Sequence, residues 1–225
     1  MASSISAGTT GSTGLVATAD TSGSLVLQTN NGTTAVTLDT SQNATFVGTL
    51  TTAAKGIAKA SLPAGSVLQV VNTFKSDTTS ATSAATLDTW VDITGMSATI
   101  TPLSTTSKIL ILYTLNINAA TGESVAVQFL RGSTAVGNGD ASSNRLVCFT
   151  DTRFGGTPGQ FEFGIYSGTY LDSPSTTAST TYKIQWRKPY DNGNTPIYLN
   201  RSYDDSDNND RPRGSSSITL MEIAA

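Results

Sequence analysis

The sequence predicts an all-β protein with an extended N-terminal segment, a short β shaft and an antiparallel β-sandwich head of jelly-roll-like form. Short runs rich in β-branched and aromatic residues recur along the chain, separated by clusters of Ser, Gly, Asp, Asn and Pro. No segment has the long 3.6-residue periodicity of an amphipathic helix. Only one of the 16 aromatic residues, Phe46, precedes Phe74, so the chain divides into an aromatic-poor quarter and a head that can pack a core.

The N-terminal quarter has too few large apolar side chains to fold alone. Residues 1–23 are mostly Ser, Thr, Gly and Ala, and the first 54 residues carry only two charges, Asp20 and Asp39. Core burial must offset roughly 1–2 kcal/mol of backbone entropy per ordered residue. We therefore expect residues 1–23 to be an extended anchor that a larger assembly orders, with a flexible tail as the alternative.

Residues 24–65 are expected to form a short trimerising β shaft followed by a joint. Strands are predicted at residues 24–28, 35–39 and 44–50, with an Asn-Gly turn after the first. Because three such strands make only a marginal sheet, we expect their apolar side chains to pack against copies from neighbouring subunits. The alternative is the first sheet of an ordinary β-domain. The expected trimer-interface residues are Leu25, Leu27, Val36, Leu38 and Phe46.

The joint and the head follow directly. A helical turn is possible at residues 53–59, and Pro63 and Gly65 then end it. From residue 66 to 225 the pattern is that of an antiparallel sandwich or barrel. Strands are predicted at 67–71, 90–93, 109–116, 125–130, 146–149, 161–165, 181–186, 197–199 and 217–223.

Composition excludes several chemistries. The chain has no histidine and one cysteine, Cys148, so a histidine-assisted nucleophile, a structural zinc site and an internal disulfide are not expected. Its net charge of −3 argues against nucleic-acid binding through phosphate neutralisation. The longest apolar run, residues 109–113, is far short of the roughly 20 residues that span a bilayer. We expect no cofactor, no nucleic-acid partner and no membrane partner.

Carboxylates do not form an evident catalytic pair. Glu123, Glu162 and Glu222 are the only glutamates, and the last two lie in predicted strands, where we expect them to face solvent. Hydrolysis of a glycoside needs two carboxyl groups held close together. The protein is therefore not expected to be an enzyme.

Four aromatic residues are candidates for contact with a glycan: Trp186, Tyr190, Tyr198 and Tyr203. They lie close in sequence among Asp and Asn residues, whose side chains can bond to sugar hydroxyls while aromatic faces pack on the ring. The alternative is that they are ordinary core and rim aromatics of a sandwich.

The acidic segment 204–210 is either a solvated hairpin tip or a weak candidate for a calcium site. Asp205, Asp207 and Asn209 would supply alternating oxygen ligands, which suit a hard cation. The segment departs from the EF-hand pattern, because Asp210 stands at the glycine position and Ser216 at the position of the bidentate Glu.

Residues 25–46 resemble the shaft repeats of tailed-bacteriophage fibres, especially those of phages that infect cyanobacteria and other marine bacteria. Segments of the head are similar to the terminal β-sandwich of such phage structural proteins, and the resemblance spans residues 24–225. The matching head segments are 65–71, 170–174, 198–202 and 216–223.

This resemblance implies a homotrimer with a thin shaft and a head like the trimeric knobs of the tumour-necrosis-factor type. It implies a non-enzymatic virion protein, assembled in the host cytoplasm, whose N-terminal segment binds other virion proteins. A tail fibre or appendage that contacts host-surface polysaccharide is the first interpretation. Because the shaft is very short, a capsid decoration or cement protein with the same trimer is the alternative. A carbohydrate-binding module outside any virus is a third.

Overall fold

The computed structural model describes residues 23–29, 33–47, 62–155, 163–190 and 194–225. The chain forms two compact units, Met1–Gly56 and Ile57–Ala225. The expected anchor up to residue 22, the helical turn at 53–59 and the ends of two predicted strands, 48–50 and 161–162, lie outside the described residues.

The N-terminal unit contains a three-stranded antiparallel sheet in the order β1-β2-β3. Its turn between β2 and β3 is held by the Asp39 carboxylate, which accepts hydrogen bonds of 2.9 Å from the backbone of Ser41 and Asn43. The hydrogen bond from the Asn43 side chain is the largest cause that lowers the pKa of Asp39, and the backbone hydrogen bonds lower it further. The strands are β1 (Leu25–Thr29), β2 (Thr33–Leu38) and β3 (Ala44–Phe46).

The second unit, the head, contains eleven further strands and one short helix among its described residues. They are β4 (Val67–Lys75), β5 (Thr79–Ala81), α1 (Ser83–Thr86), β6 (Val91–Ile100), β7 (Lys108–Ala119), β8 (Ser124–Arg131), β9 (Thr134–Val136), β10 (Thr150–Arg153), β11 (Gly164–Asp172), β12 (Thr180–Arg187), β13 (Ile197–Leu199) and β14 (Ser216–Ile223). None of the described helical residues belongs to a helix long and apolar enough to cross a bilayer.

Eight of these strands build an antiparallel jelly roll. The first sheet has the order β4-β14-β7-β11, and the second has the order β6-β12-β8-β10. Counted along the eight strands, these orders are 1-8-3-6 and 2-7-4-5, the double Greek key that defines the jelly roll. β13 and β5 extend the first sheet beside the end of β7, and β9 pairs with β8. The predicted all-β class is confirmed.

The core lies between the two sheets and is filled from alternate strand positions. Along β7 the inward side chains, from Ile109 to Ile117, are nearly inaccessible to solvent. Tyr113, Phe129 and Phe149 form edge-to-face contacts with ring centroids 4.8–5.9 Å apart. A Cβ at Gly168 would stand 2.7 Å from the Phe149 ring, so the aromatic cluster requires glycine at that position.

Some strand boundaries differ from the predicted ones. Residues 146–149 are not a strand, and β10 begins at Thr150. The three-residue strands β5 and β9 were not predicted, because such short edge strands are fixed by pairing with a neighbour and not by local pattern.

Two buried polar clusters join elements that are far apart in sequence. Asp172 on β11 accepts hydrogen bonds from Arg131 on β8 and from the Tyr182 hydroxyl on β12, which links the first sheet to the second. The fully buried ammonium of Lys188 lies 3.0 Å from the Glu123 carboxylate.

Glu222 on β14 is fully buried, which corrects the expectation that it faces solvent. Its carboxylate accepts hydrogen bonds from the backbone of Leu103 at 2.7 Å and from the side chain of Gln69 at 2.6 Å. Burial alone would raise the pKa of Glu222, but the hydrogen bonds outweigh it and lower the pKa. The carboxylate thereby holds the loop after β6 against β4 and β14.

We expect Glu222→Gln to reduce the free energy of unfolding at pH 7 by about 1–3 kcal/mol, because a charged acceptor of buried hydrogen bonds is lost. Since the folded pKa lies below the unfolded one, this contribution is complete above the unfolded pKa of about 4.3 and is lost as the pH falls through the folded pKa. Urea unfolding at pH 7, 5 and 3 measures it. The variant should lose less stability on acidification than the wild type, and the exposed-site control Asp140→Asn should behave as the wild type. Identical pH dependence for Glu222→Gln and wild type would contradict this role.

Candidate interaction surfaces

The N-terminal sheet carries five large apolar residues on one face, whereas Val26 lies on the other. The register pairs Leu25 with Leu38, and it pairs Val36 with both Leu27 and Phe46. Residues directly opposite on neighbouring strands share a face, so the five residues expected at the trimer interface lie together. We call them the N-terminal apolar face. The structure thus places them together without showing what they contact.

No described residue of the unit covers this face. Leu25 is 51% exposed, Leu27 47% and Phe46 46%. The opposite face carries Thr37 and Thr45 in register, and no described side chain of this unit is buried. The sheet therefore has no hydrophobic core of its own among the described residues.

A second apolar surface crosses the outer face of the first sheet of the head. The register places Val70, Met221, Leu110 and Leu171 side by side, one from each of β4, β14, β7 and β11. We call this row the apolar band. Val70 is 54% exposed and Leu171 52%. On the described outward positions of these four strands Lys108 is the sole charged residue.

The outer face of the second sheet is different, because β6 and β12 carry an ion pair there. Lys183 on β12 lies 2.7 Å from the Asp92 carboxylate on β6, which also accepts a hydrogen bond from Gln185. These side chains are partly exposed, as expected for a face in contact with water. The outer face of the first sheet thus carries apolar residues and that of the second carries charged ones. The first face is the one better suited to contact with another protein.

The sequence analysis does not predict the apolar band, although a signal for it exists. The run Ile109–Tyr113 does not alternate, so it gives β7 apolar residues on both faces. Strands with one wet face alternate, whereas strands covered on both faces form continuous apolar runs. The run indicates a covered outer face as well as a core.

The structure corrects one of the four candidate glycan residues. Trp186 is only 1% exposed and packs in the core, because it shares the inward-facing side of β12 with Tyr182 and Ile184. Its ring is therefore not available to a ligand.

Tyr198 and Tyr203 lie together, and Tyr190 contacts a different residue. The rings of Tyr198 and Tyr203 meet edge to face with centroids 5.6 Å apart, and the Arg201 guanidinium lies 4.4 Å from the Tyr198 ring. Tyr190 is 47% exposed, and the Arg153 guanidinium lies 4.7 Å from its ring. These three tyrosines remain predicted glycan contacts.

In the acidic segment, carboxylates bind arginines. Asp205 accepts two hydrogen bonds from Arg213, at 2.6 and 2.8 Å, and Asp204 accepts one from Arg211 at 2.9 Å. The bond from Arg211 lowers the pKa of Asp204. Among the described residues no three His, Cys, Asp or Glu side chains are grouped to hold a metal. The calcium candidates Asp205, Asp207 and Asn209 are all exposed.

We expect millimolar calcium to leave the melting temperature of the protein unchanged, because a cation at Asp205 must compete with the bidentate Arg213. Differential scanning calorimetry with calcium and with a chelator measures this. A calcium-dependent rise that Asp207→Asn abolishes would establish the calcium site instead.

Comparison with known proteins gives distant structural likenesses only. No family model matches the chain, and no curated protein matches it. A VP2 subviral particle of infectious bursal disease virus has a TM-score of 0.36 and 14% identity over 70% of this chain and 37% of that chain. VP2 of the Gt strain has a TM-score of 0.35 and 12% identity over 70% and 38%. The tripod from the baseplate of bacteriophage Tuc2009 has a TM-score of 0.20 and 11% identity over 96% and 84%.

The chain spans little more than a third of the VP2 chains. Likeness at these scores and identities transfers no function, and the jelly-roll assignment rests on the strand order itself.

Proposed function

We propose that the protein is a non-enzymatic structural component of a virion, a homotrimeric appendage of the phage tail-fibre type. The observation that carries the proposal is the N-terminal apolar face, whose side chains are about half exposed and which no described residue of the unit covers. Complete burial of one Leu or Phe side chain is worth about 1.5–3 kcal/mol, so covering this face with identical copies stabilises an assembly strongly. The resemblance of residues 25–46 to fibre shaft repeats supports an assembly of three chains.

The head also has exposed apolar surface, the apolar band, whose burial would stabilise an assembly. Exposed contiguous apolar surface marks sites of protein association, and a nearly uncharged face allows identical copies to meet without repulsion. The segment entering the head lies beside the C-terminus, since Gly65 donates a hydrogen bond of 2.8 Å to the Ala224 carbonyl. Trimerised N-terminal sheets would therefore tether three heads at the β4 and β14 side of the first sheet, and this raises their effective concentration there.

The proposal assigns a role to each part of the chain. Residues 1–23 bind other virion proteins, residues 24–65 trimerise, and residues 66–225 form the exposed head on a virion assembled in the host cytoplasm. Two of the three glutamates have structural contacts: Glu123 with Lys188, and Glu222 with Gln69 and Leu103. This use of carboxylates supports a role without catalysis.

A capsid decoration protein with the same trimer is the second candidate. In that role the apolar band would bind a protein shell, and the N-terminal sheets alone would hold the trimer together. Immunoelectron microscopy of virions separates the two functions. Label at the tail supports the fibre, and label over the whole shell supports decoration.

We expect the purified full chain to have a mass of about 70 kDa by light scattering, three times the chain mass of 23.3 kDa. A monomer mass for the folded protein would contradict the proposed function.

Substitution on the two faces of β2 tests which surface assembles. Val36 and Thr37 are neighbours on the central strand and face opposite sides of the N-terminal sheet. We expect Val36→Asp to convert trimer to monomer, because a carboxylate in a closed apolar interface costs several kcal/mol. Thr37→Asp is the matched control and should keep the trimer mass. Equal behaviour of both variants in light scattering would exclude this face as the interface.

A further inference from the structure

A groove of about 600 Å³ lies at one end of the second sheet of the head. Trp90 precedes β6 and Arg187 ends β12, and these strands pair beside them through Val91 and Trp186. The volume lies within the roughly 300–1,000 Å³ of known ligand pockets. We call it the Trp90 groove. Its lining residues are Asp88, Trp90, Asn144, Arg145, Leu146, Val147, Arg187 and Pro189.

The groove stays open in the proposed trimer. The apolar band belongs to the first sheet, whereas β6 and β12 belong to the second. Another copy that binds to the apolar band therefore leaves the Trp90 groove exposed to solvent.

The lining carries an excess of positive charge. The Arg187 guanidinium lies 2.6 Å from the Asp88 carboxylate, while its Nε is buried and makes no hydrogen bond within the described part of the chain. Arg145 is exposed and forms no ion pair with any described residue. Two arginines and one carboxylate leave a net charge of +1 in a chain whose net charge is −3. The groove thus attracts a ligand with a single negative charge.

The uncharged part of the lining suits a ring that carries hydroxyl groups. The partly exposed indole of Trp90 can pack against the C–H face of a sugar ring. The Asn144 carboxamide and the Asp88 carboxylate can pair with hydroxyl groups, and Arg145 can bind a carboxylate through two parallel hydrogen bonds.

We propose that the Trp90 groove binds an acidic sugar, a uronic-acid residue of a polysaccharide. One carboxylate matches the single net positive charge of the groove. A polyphosphate or nucleic acid would bring closely spaced negative charges against Asp88, whereas a uronate chain carries one carboxylate per ring, and polyphosphates are bound by larger clusters of Lys and Arg. The inference rests on the proposed function, since it names the host polysaccharide that the exposed head would contact.

Isothermal titration calorimetry of the full chain with tetragalacturonic acid tests the charge requirement. The fully methyl-esterified tetramer is the matched control, because it keeps the rings and hydroxyls and lacks the charge. We expect the acid to bind about tenfold more tightly than the ester, and its affinity to fall as salt is added. Equal affinity for acid and ester, or no binding of the acid, would overturn the inference.

Variants test the location of the site. We expect Arg145→Gln and Trp90→Leu each to weaken binding of the acid by about fivefold or more. Arg213→Gln is the matched control, since this exposed arginine lies outside the groove. Unchanged affinity in both groove variants would overturn the assignment, as would equally tight binding of tetraglutamate.

The mass of the protein tests the proposed trimer, and binding of the acid tests the groove, so the two can fail separately. A trimer mass without binding of the acid overturns only the groove. A monomer that binds the acid, and loses it in Arg145→Gln, supports the groove and overturns the trimer.

Discussion

The head depends on the pairing of β7 with three other strands. Residues Ile109 to Ile117 of β7 pair with β11 on one edge, while β14 and then β13 pair on the other. The inward side chains of β7 fill the centre of the core, from Ile109 to Ile117. Because β14 is the last strand and β11 the sixth of eight, this arrangement brings together segments about 100 residues apart. The jelly roll exists only once these pairings have formed.

The same strand explains why the sandwich has two unlike outer faces. At Leu110 and Leu112 β7 is apolar on its outer side as well, so the apolar band crosses an outer face whose other residues are mainly Ser, Thr and Asn. On the second sheet, β12 instead alternates core residues with side chains such as Lys183, which pairs with Asp92. This asymmetry separates a face suited to protein contact from a face and groove suited to polar ligands.

The two units differ in how far they bury their own apolar side chains. The head buries whole rows of side chains between its sheets and secures them with polar clusters such as Arg131, Asp172 and Tyr182. The N-terminal sheet has the correct register and a clean apolar face, yet nothing in its own described residues covers that face. The described residues of this unit therefore lack a core, and this is the physical basis of the proposed assembly.

Local pattern alone determined the all-β class, most strands of the head and the shared face of Leu25, Leu27 and Val36, because strand periodicity requires only neighbours in sequence. It could not place Trp186 in the core or Glu222 beneath a loop. Nor could it gather Trp90, Arg145 and Arg187 around one groove. Those outcomes were decided by the tertiary structure, since they depend on which distant strands pair and which face each pairing turns inward.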